Sequence, residues 1–220
     1  MEKNTLKRWR LIIPGVTIIL LTFPLSTDNI DQLKDIGSMI KSLAWDDLWY
    51  TAVIVVVGAI YYSLNIRWLV WKHFNSKVQN NIKERIFNLC SLQYTPKIWY
   101  KLKESRALMT IFYHFVDNDE SLKDKAGDVR FNGLIWSSCF DFCILSGVGG
   151  IAYYIISLVT SKNHLIYFSS ILFIGFFVFL GLSSLLTYKH LSLSNAQLDV
   201  IAQKYKHEVD TKIQEALKNS

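Results

Sequence analysis

The amino-acid sequence predicts an all-α polytopic membrane protein, four transmembrane helices plus a cytoplasmic helical module, and three observations predict it. Apolar and aromatic residues make up 51% of the 220 positions and charged residues only 19%, a balance too apolar for an ordinary water-soluble domain. The apolar residues are clumped into runs near 11–26, 48–71, 134–160 and 165–188. A helix needs about 20 such residues to cross about 30 Å of hydrocarbon, and the first run only just suffices. Lys and Arg are segregated: all but Lys34, Lys41 and Lys162 precede the first run, follow the fourth, or lie at or between the second and third. Basic residues favour the cytoplasmic side of a span, so both termini and the long central loop are expected in the cytoplasm.

The first span follows a basic start that includes Lys3, Lys7, Arg8 and Arg10. No small-residue cleavage pattern follows it, so it is expected to be a retained anchor rather than a signal peptide. Pro14 is expected in its first turn and Pro24 at its end. An outer connector over 27–47 carries five Asp and two Lys, with Ile30, Leu33, Ile36 and Ile40 at helical spacing. It reads as a short amphipathic helix along the membrane surface. The second span, with which residues 1–71 end, is collared by Trp45, Trp49, Tyr50, Trp68 and Trp71, aromatic rings that favour the headgroup level.

The cytoplasmic loop over 72–132 is expected to hold a helix continuing out of the second span. A second helix is opened by Thr95-Pro96 and runs to about Val116. Ser121-Leu-Lys-Asp124 resembles a capping box leading directly into the third span. The third and fourth spans, within 133–188, are joined only by 161–164 and must form an antiparallel hairpin. In the tail, 189–220, the apolar stripe Leu191, Leu198, Ile201, Tyr205, Val209, Ile213 and Leu217 fits a helix packing on one face. Leu198, Ile201, Tyr205, Val209 and Ile213 are the candidate partner-docking residues.

Chemistry is sparse. Asp141 is the only acidic residue inside a predicted span, and a carboxylate in hydrocarbon is costly. It stands either at the cytoplasmic interface or one step deeper, where Arg67 is the natural counter-ion for an intramembrane ion pair. Ser146, Gly147, Gly149 and Gly150 form a small-residue cluster suited to close helix packing, or to a hinge or thin pore wall. The net charge of +6 suits anionic lipid, and no direct nucleic-acid partner is expected. Cys90, Cys139 and Cys143 are an odd set with no implied disulfide. Residues 117–128 lack the Gly and Glu of a calcium loop. No phosphate-cradling glycine loop, nucleophile elbow or zinc-peptidase helix is present. No catalytic residue, metal or cofactor is therefore expected.

In span count, inside termini and helical cytoplasmic module, the whole chain resembles the small four-span membrane subunits of bacterial antiphage systems such as Kiwa. It is similar in the same respects to membrane accessory proteins of type VI-B CRISPR loci. The resemblance implies a homo-oligomer in the bacterial inner membrane that senses envelope perturbation or alters membrane integrity, with the 72–132 loop as the place where a soluble effector protein would be held. The expected function is a non-enzymatic sensor or scaffold, and the rival reading is an ion channel or pore.

Overall fold

The computed structural model describes residues 3–25, 48–90 and 95–218, and the expected connector over 27–47 lies outside them. Among the described residues the chain is all-helical, with no strand. In order these are α1 (Lys3–Thr22) with a 3-10 turn (Phe23–Leu25), α2 (Leu48–Ser63), α3 (Trp68–Asn88), α4 (Pro96–Glu104), α5 (Ala107–Asn118), α6 (Glu120–Thr160), α7 (His164–Lys204) and α8 (Lys206–Lys218). Three stretches, Asn4–Leu25, Glu120–Thr160 and His164–Lys204, are long and apolar enough to cross a membrane. A fourth qualifies if Thr51–Ser63 and Trp68–Asn88, bent by 67° at the break between them, are counted together.

That break corrects the expectation of one straight helix through 48–71. Asn65 adopts a left-handed φ of 49°, a conformation that Asn tolerates better than other non-glycine residues. Around it the backbone bonds shorten to three-residue steps, from Asn65 N–H to Tyr62 O and from Trp68 N–H to Asn65 O. Periodicity is blind to such a stop, because the apolar pattern resumes directly at Trp68. Pro14 likewise lies well inside α1 rather than in its first turn, because the helix already begins among the basic residues.

The chain divides into two compact units, residues 1–71 with 134–184 and residues 72–133 with 185–220. In the first, α1 and α2 cross at two glycines. A Cβ on Gly15 would run into the Ile54 carbonyl, and one on Gly58 into the Leu11 carbonyl. Only glycine allows backbones to approach this closely. In the same unit, α6 and α7 form an antiparallel hairpin. Gly150 faces Phe173, Gly147 faces Phe176 and Phe142 stacks on Phe179, one index rising as the other falls. The tight link includes Ser161 at a left-handed φ of 56°. Tyr153 donates its hydroxyl to the Leu21 carbonyl, which ties α6 to the end of α1.

The second unit has an interior of its own. Val78, Ile82 and Ile86 of α3, Leu108, Ile111, Phe112 and Phe115 of α5, Leu122 of α6 and Leu198 and Ile201 of α7 are all buried. The helix expected over 95–116 is two helices, because the chain turns extended at Ser105, whose hydroxyl accepts from the Ala107 N–H. The segment expected as a separate tail helix over 191–217 starts instead as the far end of α7. It is interrupted only at Tyr205, across which Tyr205 N–H to Ile201 O and Val209 N–H to Tyr205 O keep the helical bonding. Asp119, not Ser121, caps α6, accepting the Leu122 N–H at 2.9 Å.

Candidate functional site

The principal polar cluster of the first unit is built where α2 ends. After the left-handed turn at Asn65, the Arg67 guanidinium lies beside the Tyr62 ring of the last turn of α2. Arg67 Nε donates to Asp141 Oδ1 and Nη2 to Oδ2, each at 2.7 Å. Tyr61, on the last full turn of α2, donates its hydroxyl to Oδ1 at 3.1 Å. Asp141 is 1% exposed and Tyr61 5%, while the Arg67 side chain is 14% exposed. The guanidinium also lies 5.7 Å from the centre of the Tyr62 ring.

A two-pronged Arg–carboxylate pair fixes direction as well as distance. Here it ties the middle of α6 to the helix break in a single orientation. The carboxylate accepts three protein hydrogen bonds and is charge-compensated, which equips it to lock packing. Arg10 of α1 adds a second positive charge within electrostatic range of Asp141.

The structure thus brings Arg67 and Asp141 together, and it seats the glycine cluster against neighbouring helices. Gly147 abuts the Phe176 ring, Gly149 lies against Leu172 and Leu21, Gly150 against Phe173, and Ser146 touches the position of Gly175. The Gly150 carbonyl accepts the Ser169 hydroxyl at 2.8 Å. α6 runs unbroken through these positions, and the small residues let its neighbours pack close.

The expected docking stripe is internal, which corrects the sequence reading. Leu198, Ile201, Val209 and Ile213 are fully buried in the second unit. Tyr205 stacks on Phe115 at 5.0 Å. A four-residue apolar step specifies a helix face that wants cover; α5 of the same chain lies against its α8 part, and α3 lies beside its α7 part through Asn81–Asn195 and Arg85–Asp199.

A second polar node was not foreseen. Asp119, between α5 and α6, accepts from the Ser121 hydroxyl at 2.5 Å and the Tyr205 hydroxyl at 2.7 Å. Lys204 Nζ lies 3.2 Å away. The Ser121 bond first, then the Tyr205 hydroxyl, the Leu122 N–H and Lys204, hold this carboxyl well below the usual carboxylate range. Donating to Asp119 pushes the Tyr205 phenol up.

Sequence reasoning also missed Tyr61, Arg10, Gly15 and Gly58. A hydroxyl one or two turns before the lone Arg of an apolar run, and a lone glycine following the β-branched run 53–57, are the signals that point to two of them. Comparison with protein-family models, with characterised proteins and with solved structures finds no match for this chain.

Proposed function

We propose that the chain is a non-enzymatic multi-pass membrane protein, a scaffold or sensor whose second unit lies in the cytoplasm and holds a partner protein there. One observation carries the reading: the two units turn opposite faces outward. In the first unit Val148, Ile151, Ile155, Leu158 and Val159 of α6 and Ile171, Ile174, Phe177 and Val178 of α7 are exposed. Such a surface suits hydrocarbon and is unfavourable in water. In the second unit Leu185, at its edge, is the one exposed large aliphatic side chain among the described residues, and the other exposed large apolar groups are the rings of Tyr100, Tyr113, Phe131 and Tyr188, a balance that water tolerates.

The distribution of Lys and Arg supports cytoplasmic termini, and the broad apolar surface of α6 and α7 supports self-association within the bilayer. The resemblance to antiphage membrane subunits supports placing such a scaffold in the inner membrane of a bacterium. The packed glycine seam and the compensated Asp141 favour this reading over a pore, which needs an open polar path.

The test has two arms. Fused to the C-terminus, a reporter that fluoresces only in the cytoplasm should light up, and one active only outside should stay silent. Photo-crosslinkers at Tyr100 and Tyr113, both exposed on the second unit, should trap a discrete protein in cells. The reverse reporter pattern removes the topology. Crosslinking to lipid or to the chain itself alone removes the scaffold. An ion leak through chain-bearing liposomes that Asp141→Asn abolishes would establish the pore.

A further inference from the structure

Among the described residues of the first unit, Arg10 carries, at Nε, the one enclosed side-chain polar atom left without a hydrogen-bond partner. The nearby Asp141 carboxylate does not supply one: it accepts from Arg67 through both oxygens and from Tyr61 through one. Two guanidinium groups therefore share one carboxylate, leaving a net positive charge beside α1. An arginine presents a planar fork of N–H donors that matches phosphate and carboxylate oxygens. A half-buried guanidinium with an idle Nε–H in a net-positive surrounding is built to take an anion.

The surroundings say which anion. Lys7 lies one turn back on the same side of α1, exposed like its neighbour Arg8. Trp9 is 44% exposed, as suits an indole at the headgroup level. Directly after Arg10 the chain becomes continuously apolar. A ligand held here has its charge beside Arg10 and Lys7 and its body alongside an apolar helix. We propose that Arg10, aided by Lys7, binds the phosphodiester of an anionic phospholipid and so pins α1 beside the Arg67–Asp141 pair. The inference rests on the membrane reading above.

The experiment is native mass spectrometry of the full chain, delipidated in neutral detergent and titrated with phosphatidylglycerol, phosphatidylcholine or inorganic phosphate. The wild type should retain one phosphatidylglycerol in preference to phosphatidylcholine. Arg10→Gln should weaken that binding by about tenfold or more, the value of one charge-assisted hydrogen bond. Arg10→Lys should keep part of it. Arg8→Gln, on an exposed neighbour, should leave it unchanged. Unaltered phosphatidylglycerol binding in Arg10→Gln overturns the proposal, as does displacement of the lipid by millimolar inorganic phosphate. Carbonate-resistant membrane association is measured alongside. A wild type that remains in membranes but shows no lipid preference sinks the site alone, and one that is released sinks the membrane reading. An unchanged helical melt of Arg10→Gln separates lost binding from lost folding.

Discussion

Arg67 and Asp141 stand 74 positions apart in the chain and meet through two hydrogen bonds of 2.7 Å, one to each carboxylate oxygen. Removing either partner leaves the other charge enclosed. Asp141→Leu or Arg67→Met alone should therefore destabilise the first unit by about 3–5 kcal/mol, whereas the double change should recover most of that loss. Circular dichroism during unfolding in mixed detergent micelles measures all three. Equal losses in the single and double variants would mean that the pair does not act as a unit.

The crossing of α1 and α2 depends on two missing side chains. Gly15→Leu and Gly58→Leu each place atoms where a carbonyl stands, so each should separate the helices and lower the yield of folded protein. Gly127 has nothing within 4 Å of the Cβ it lacks. Gly127→Ala should raise stability by about 1 kcal/mol through helix propensity. A thermal melt of the three variants in one detergent sorts tight from open glycines.

Asp119 makes the second unit sensitive to acid. Its carboxyl titrates below its ordinary value in the fold, so the unfolded chain binds the proton more readily. The stability this contributes is present above the unfolded value of about 3.9 and is lost as pH falls below it. Melting temperature should be level with respect to this group above about pH 5 and fall beneath about pH 4. Asp119→Asn should flatten that fall, and Tyr205→Phe should reduce it by removing a hydroxyl donor. An undiminished acid slope in Asp119→Asn would assign it to other carboxyls.

The tail stripe is core. Ile213→Ala should cost about 2–5 kcal/mol, as deletion of a buried aliphatic group does. Exposed Lys218→Ala should cost almost nothing. Limited proteolysis of the purified chain distinguishes them: faster cleavage within 185–218 is expected for the first variant only. Native resistance in Ile213→Ala would return the stripe to a docking role.

Much of this protein could be read from residue order alone, for a physical reason. Hydrocarbon demands long apolar runs and helical backbones, so the positions of α1, α2, α6 and α7 and the short link between the last two are written locally, as composition. So is the charge asymmetry on which the proposed topology rests. What residue order could not state is where a helix stops without a proline or glycine, as at Asn65, or which face covers which. A stripe such as Leu198, Ile201, Val209 and Ile213 records only that a face must be covered. That the chain itself covers it, with α5 against the α8 part and α3 beside the α7 part, is decided by three-dimensional packing. The meeting of Arg67 with Asp141 was inferable because lone charges in apolar surroundings seek each other. The third member, Tyr61, the idle Arg10 and the glycine contact at Gly15 and Gly58 depend on angstrom-scale approach between helices, which no pattern along one strand of sequence encodes.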